Sequence, residues 1–100
     1  MNLIVSGKNL TVTPAMKSLI ERKIGHLDRY WQRLIRVRVE ISLNRHHKRG
    51  HVVIAYGWIE TPGDDIRASV EGTSFAQAVD VLSGKLERLV IKAKQRRSEA

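Results

Sequence analysis

The sequence has no cysteine, only two prolines and only one phenylalanine in 100 residues. The lack of cysteine excludes a disulfide scaffold, thiolate metal sites and a cysteine nucleophile. No apolar run approaches the roughly 20 residues of a membrane-spanning helix, and Leu3–Val5 is too short for the apolar part of a signal peptide. We therefore expect a cytoplasmic chain of one domain, residues 1–100, in which residues 95–100 fray.

Acidic residues are also scarce, since 10 Asp and Glu stand against 18 Lys and Arg and leave a net charge of +8. The excess is unevenly distributed, because residues 52–73 carry −3 whereas every other part of the chain is positive. A balance this basic predicts an anionic partner, with nucleic acid favoured over an anionic membrane surface. We expect neither a membrane nor a small-molecule substrate as a partner.

The periodicity of apolar residues predicts six elements in the order β-α-β-β-β-α. The natural packing of this order is an α+β fold, in which a four-stranded, mostly antiparallel sheet carries both helices on one face. The polar segment 44–50 and the Pro-Gly turn at Thr61–Asp65 are predicted to connect strands. The predicted strands are residues 3–6, 37–43, 51–60 and 66–71.

Both predicted helices begin at caps. Thr13 caps the first helix and Pro14 fits its first turn, where a missing N–H costs nothing. Ser74 and Gln77 match a capping box at the start of the closing helix. Gly25 interrupts the first helix, whose amphipathic stripe is about four turns long. The apolar residues of this stripe are Ile20, Ile24, Leu27, Trp31 and Leu34.

Cations line one face of the closing helix. At 100° per residue they fall within about 80° of one another. Arg88–Lys92 and Lys92–Arg96 are like-charge i,i+4 pairs, whereas a solvated helix face usually pairs opposite charges. A polyanion along this stripe would turn the repulsion into attraction, so the stripe favours a polyanion over an ordinary solvated face. Its members are Lys85, Arg88, Lys92 and Arg96.

The first helix is predicted to repeat this arrangement. Arg22, His26, Arg29 and Arg33 fall within about 60° of one another, roughly opposite the apolar stripe, and Lys23 lies on their flank. A solvated face stays open as an alternative here, because Lys17 and Glu21 form an ordinary helix pair. Two such helices on one sheet face would form a broad positive surface that can follow phosphates without reading base sequence.

Two further groups of residues have candidate roles. His46, His47 and His51 have no partner ligands that would suit a metal, so a phosphate contact by their basic hairpin or a solvated turn is favoured. Tyr56 and Trp58 share a strand face, where packing or cover of the sheet is favoured over base stacking or a protein contact. No phosphate-binding loop, nucleophile elbow or metal-binding motif appears, so we expect no cofactor, no metal and no enzymatic activity.

Three segments carry a specific combination of motifs. Ser6–Trp31 contains a Thr-Pro-Ala helix start, a Glu-Arg-Lys-Ile run and an Asp-Arg-Tyr step. Thr61–Gly72 contains a Pro-Gly turn and a strand of small residues, and Ser74–Lys94 contains Ala-Val-Asp and Lys-Leu-Glu-Arg steps. In this order and spacing the chain resembles the ribosome hibernation factor family. These are the hibernation-promoting factors and ribosome-associated inhibitors, long labelled sigma-54 modulation proteins, and the chain is most similar to the short hibernation-promoting form.

The resemblance implies a fold like a double-stranded-RNA-binding domain. It implies binding to the small ribosomal subunit and its rRNA, in the channel for messenger and transfer RNA, where occupancy blocks translation and preserves idle ribosomes in stationary phase or stress. A ribosome modulation factor is a further candidate partner, and promotion of ribosome dimers a further candidate outcome. By position the resemblance assigns rRNA contacts to Arg22, Lys23, Arg29, Lys85, Arg88 and Lys92, and the two stripes add Arg33 and Arg96.

Two rival functions stay open. The first is a general double-stranded-RNA-binding module, which would bind free duplex RNA as tightly as ribosomes. The second, suggested by the older family label, is a regulator of alternative-sigma transcription, which would bind RNA polymerase and ignore ribosomes.

Overall fold

The strands form one mixed sheet in the order β1-β2-β3-β4, with both α-helices packed on one of its faces. This architecture is that of a computed structural model, which describes residues 1–47 and 50–99. The elements in chain order are β1 (Asn2–Lys8), α1 (Pro14–Ile24), a 3-10 helix (Leu27–Arg29), β2 (Arg36–His47), β3 (Gly50–Glu60), β4 (Ile66–Gly72) and α2 (Phe75–Glu99).

The strand pairing confirms the predicted α+β class. β1 pairs parallel to β2 across the α1 crossover, and β2–β3 and β3–β4 are antiparallel. The segment 44–50, predicted as a polar connection, is instead largely strand, because β2 continues to His47 and β3 begins at Gly50. The ladder shifts register between Asn44 and His47 and then resumes, so backbone pairing overrides the polar composition.

Both predicted helix caps are present. Thr13 Oγ1 accepts a hydrogen bond from the Met16 N–H at 3.2 Å, with Pro14 in the first turn. Ser74 Oγ accepts from the Gln77 N–H at 3.1 Å. The reciprocal bond differs by one residue, because Gln77 Oε1 accepts from the Thr73 N–H at 2.7 Å rather than from Ser74.

The first helix is shorter than the stripe predicts. The Gly25 N–H donates the last α-helical bond to the Glu21 carbonyl at 2.9 Å, and α1 ends at Ile24. The chain then tightens into the 3-10 helix, which has an i→i+3 bond from the Arg29 N–H to the His26 carbonyl at 3.0 Å. Glycine favours this break because it loses more backbone conformational entropy in a helix than other residues do. The prediction that one helix reaches Leu34 is wrong.

The core lies between the helices and one face of the sheet. The residues predicted in the first apolar stripe are all buried, including those beyond α1. Gly57 on β3 lets α2 approach closely, since a Cβ there would lie 2.9 Å from Leu86 Cδ1. Fully buried large side chains from both helices and the sheet are Ile20, Ile24, Leu27, Val37, Val39, Ile41, Ile59, Val79, Leu82, Leu86 and Val90.

The Pro-Gly turn is closed by a side chain. Thr61, which is buried, accepts a hydrogen bond through Oγ1 from the Gly63 N–H at 3.0 Å and donates to the Asp64 carbonyl at 2.8 Å. Gly63 does not adopt positive φ, so the turn depends on the threonine and not on glycine in the left-handed region.

Part of the predicted hairpin lies outside the described residues, namely Lys48, Arg49 and the side chains of His46, His47 and His51. Within residues 1–47 and 50–99, no helix combines the length and apolarity needed to cross a bilayer. The backbone is helical through Glu99, and the fraying of residues 95–100 stays a prediction.

Two glycines give opposite expectations for stability. A Cβ at Gly72 would lie 2.7 Å from the Ala78 backbone nitrogen, which cannot move without shifting α2. Gly72→Ala is therefore expected to lower the free energy of unfolding by about 1–3 kcal/mol. Gly84 lies within α2, where a Cβ would have its nearest neighbour at 3.7 Å, so Gly84→Ala is expected to raise it by up to about 1 kcal/mol.

Urea unfolding of both variants beside the native chain measures these changes. If Gly84→Ala loses as much stability as Gly72→Ala, close packing at Gly72 does not explain the loss.

Candidate nucleic-acid interface

The cations of α2 lie beside the strip that α2 buries. Arg88, Lys92 and Arg96 are exposed and Lys85 is half-buried, so the stripe predicted on this helix is present. Leu82, Leu86 and Val90 are fully buried against the sheet, and this packing fixes the rotation of α2. From Arg88 to Arg96 the charge extends along about 12 Å of rigid helix.

The cations predicted for the first helix are distributed differently. Arg22 and Lys23 lie in the last turn of α1, where basic residues complement the helix dipole. Arg29 lies in the 3-10 helix and Arg33 follows it, both exposed. The prediction that they share one α-helical stripe with His26 is wrong, because α1 ends before His26 and the 100° repeat no longer applies.

Two contacts nevertheless bring part of this segment against α2. The first joins the end of α1 to α2, where Ser83 Oγ donates to the Lys23 carbonyl at 2.8 Å and satisfies it. Beside this bond, Lys23 Nζ lies 3.2 Å from Asp80 Oδ1, with both side chains largely exposed. Lys23 therefore lies beside the first half of α2, but its ammonium already has a carboxylate partner.

The second contact engages an acid of α2. The Tyr30 phenol, next to the 3-10 helix, lies near the Glu87 carboxylate. Hydrogen bonding to Glu87, desolvation and the negative charge of Glu87 raise the pKa of Tyr30 above its ordinary value of 10.0, while the Arg29 guanidinium acts in the opposite direction. Sequence patterns carry no signal for either contact, because the partners are far apart along the chain.

The result is an uneven distribution of charge between the two layers. Residues 14–35 carry +3 and residues 74–100 carry +3, so the helical segments hold +6 of the net +8. Two of the acids of this layer have neighbouring partners, since Asp80 lies against Lys23 and Glu87 lies near Tyr30. The helix layer therefore presents a positive surface in which two acids are already occupied by neighbours, an arrangement suited to a polyanion backbone.

The sheet face opposite the helices carries an aromatic ring between two arginines, and the sequence did not predict this arrangement. Trp58 is half-buried there, and Arg38 and Arg67 from the two flanking strands lie 5.2 and 4.7 Å from its ring centroid. Trp58 Nε1 donates to Asp65 Oδ2 at 2.9 Å. Because guanidinium groups occupy its flanks, a base could stack on Trp58 only by displacing an arginine. Register brings these residues together, and register cannot be read from the sequence.

One strand acid, Glu60, has cationic neighbours. Glu60 accepts from Arg36 Nη1 at 3.2 Å and lies 3.9 Å from Arg38 Nη2. In the part of the chain that the structure describes, no three His, Asp or Glu side chains are grouped as metal ligands would be.

Comparison with known proteins supports the resemblance seen in the sequence. Ribosome hibernation promotion factor of Bacillus subtilis is 33% identical over 96 residues, which are 94% of this chain but 49% of that protein. Ribosome hibernation promoting factor of Escherichia coli K12 is 30% identical over 96 residues, which are 96% of each protein. The chain thus spans about half of the first relative and nearly all of the second.

A solved structure has the same fold. The ribosomal subunit interface protein from Coxiella burnetii superposes with a TM-score of 0.80 at 24% identity, covering 95% of this chain and 99% of that one. The profile of one family, described as Sigma 54 modulation protein / S30EA ribosomal protein, matches residues 3–98. Because this match leaves only four of the 100 residues outside it, the chain belongs to the Sigma 54 modulation protein / S30EA ribosomal protein family.

Proposed function

We propose that the chain is a cytoplasmic, non-enzymatic ribosome hibernation factor. It binds the small ribosomal subunit in the channel for messenger and transfer RNA, inhibits translation and preserves idle ribosomes during stationary phase or stress. The observation that carries this proposal is the positive helix layer, whose two segments hold +6 of the net charge of +8. The names of the two compared relatives, both ribosome hibernation factors, favour rRNA as the polyanion.

The proposed mechanism is electrostatic docking followed by steric exclusion. Exposed Arg and Lys on the helix layer replace counterions along the rRNA backbone, and their release drives binding without base recognition. Rigid helices hold the cations, so little backbone order has to be gained on binding. A folded domain seated in the channel then excludes messenger and transfer RNA by its volume.

The candidate contacts differ in their readiness to bind phosphate. Arg88, Lys92 and Arg96 are exposed along one helix face and form the centre of the proposed site. Lys85 is half-buried at one end of this row. The remaining proposed contacts come from the α1 side of the helix layer, where Lys23 must leave its ion pair with Asp80 to bind phosphate. They are Arg22, Lys23, Arg29 and Arg33.

The likeness to double-stranded-RNA-binding domains stays a prediction, as does a contribution to ribosome dimers with a ribosome modulation factor. A general duplex-RNA binder would bind free duplex RNA and small subunits equally well. A regulator of alternative-sigma transcription would instead bind RNA polymerase. A competition experiment separates the three functions. Labelled chain is bound to purified small subunits, and free duplex RNA or RNA polymerase is added as the competitor.

The first test reverses two exposed cations of α2. Arg88→Glu with Lys92→Glu is expected to weaken binding to small subunits by about 10- to 100-fold at 0.1 M salt. The slope of log K against log salt should become shallower by about 2, one unit for each lost phosphate contact. Sedimentation of labelled chain with small subunits at several salt concentrations measures both quantities.

The matched control reverses two exposed cations of the sheet layer, Lys8→Glu with Arg67→Glu. Both double variants lower the net charge from +8 to +4, so a difference between them reports position and not total charge. The control is expected to bind within about threefold of the native chain. Equal losses in the two variants would reject the helix layer as the rRNA-binding surface.

The second test releases Lys23 from its partner. Asp80→Asn removes an exposed acid and frees the Lys23 ammonium, so binding to small subunits should strengthen by about two- to fivefold. The free energy of unfolding should change by less than about 1 kcal/mol, because the Lys23–Asp80 pair is exposed.

Glu71→Gln makes the same change of charge on the sheet layer and is expected to leave binding nearly unchanged. Weaker binding by Asp80→Asn would show that the Asp80 carboxylate orients Lys23 for its contact instead of competing for it.

A further inference from the structure

The sheet face that the helices leave open has an ordered arrangement of side chains. Three cross-strand rows run across β1, β2, β3 and β4 in register, and we call them together the outer face. In strand order the first row is Ile4, Arg38, Trp58 and Arg67, the second is Ser6, Glu40, Tyr56 and Ser69, and the third is Lys8, Ser42, Ile54 and Glu71. No element among residues 1–47 and 50–99 covers the outer face, and its two aromatic residues are only half-buried.

The first row is held in place before any partner arrives. Arg38 and Arg67 lie 5.2 and 4.7 Å from the Trp58 ring centroid, and Asp65 accepts the indole N–H at 2.9 Å. A cavity of about 280 Å³ lies beside Trp58 and Tyr56 and reaches Ile4 on β1. Trp, Tyr and Arg are the residue types that contribute most at protein–protein interfaces, especially when already ordered.

The charges of the outer face do not suit a polyanion. The three rows hold three cations, Lys8, Arg38 and Arg67, and two acids, Glu40 and Glu71. The cation and the acid of the third row lie at opposite edges of the sheet, about 14 Å apart. Lys8 and Glu71 are therefore too far apart to pair within one chain. Each can pair with a partner that has an acid opposite Lys8 and a cation opposite Glu71.

A second copy of this chain has that reverse order. A twofold axis parallel to the strands, passing between β2 and β3, places β1 over β4 and β2 over β3 of the second copy. Each row then meets itself in reverse: Lys8 faces Glu71, Arg38 faces Trp58 and Glu40 faces Tyr56. Two of these pairs are favourable, an ion pair between Lys8 and Glu71 and a hydrogen bond from the Tyr56 phenol to the Glu40 carboxylate. Trp58 contributes apolar contact area instead, because Arg38 and Arg67 of its own chain already lie over its ring.

We propose that the outer face is a self-complementary interface through which two copies of this chain associate. Two twisted sheets pack face to face with their strands about 30° apart, a rotation that the long Lys8 and Glu71 side chains can follow. Four strands and three rows cover about 400 Å² per copy, below the roughly 800 Å² of a stable complex. The association is therefore weak, with a dissociation constant on the order of 0.1 mM, and it leaves both helix layers exposed.

Charge reversal at the third row tests the pairing. Sedimentation equilibrium of the native chain from about 10 µM to about 1 mM, a range that brackets this constant, should show a monomer–dimer equilibrium. Lys8→Glu alone and Glu71→Lys alone should each weaken association about tenfold, because each places like charges at two symmetric sites. An equimolar mixture of the two single variants should restore it, since both edges then have opposite charges available to pair, and so should the double variant K8E/E71K.

Total charge cannot imitate this result. Lys8→Glu lowers the net charge from +8 to +6 and would relieve general repulsion, whereas Glu71→Lys raises it to +10. Only a specific pairing weakens association in both variants. Lys17→Glu, on α1, makes the same charge change as Lys8→Glu away from the outer face and should not weaken association.

A single-chain mass up to the highest concentration would overturn the proposal. So would association that survives both single variants, or a mixture of the two that stays as weak as each alone. Ribosome binding is not needed for any of these measurements, so their outcome is independent of the proposed function.

Discussion

The packing of α2 onto β3 and β4 determines what the rest of the molecule presents to its surroundings. Leu82, Leu86 and Val90 are fully buried beneath this helix, and Gly57 provides the space in which Leu86 meets the sheet. Burial of this strip fixes the rotation of α2 about its axis. Its cations therefore lie on the solvent-exposed side of the helix. The end of α1 follows, because Ser83 and Asp80 of α2 bond to Lys23. The charged surface is thus a consequence of the apolar core.

The acidic block at residues 52–73 also acquires a structural meaning. Glu60 lies against Arg36 and Arg38, and Asp65 accepts from Trp58, so these acids offset cations or hold an aromatic ring within the sheet layer. They are separated from the helix layer by the core. The segregation of charge along the sequence therefore becomes a segregation between the two faces of a sheet, with a positive helix layer on one side and a mixed outer face on the other.

Local patterns predict most of the fold. Alternation and capping residues predict the element order, the sheet, the helix starts and the buried face, because each depends on neighbours in sequence. They fail at the end of α1, since Leu27, Trp31 and Leu34 keep a buried spacing of three or four residues whether the backbone is α-helical or not. The pairs Lys23–Asp80 and Tyr30–Glu87 join residues 57 positions apart, and such contacts exist only once the tertiary packing exists. The Arg38–Trp58–Arg67 row depends on register in the same way.

The unequal charge of the two layers has a kinetic consequence. A molecule with +6 of its +8 charge in one layer has a large electric dipole across its thin dimension. In the field of a polyanion such a molecule rotates during its approach and arrives with its helices leading. Orientation before contact raises the fraction of encounters that succeed, so the separation of charge acts on the rate of association more than on the lifetime of the complex.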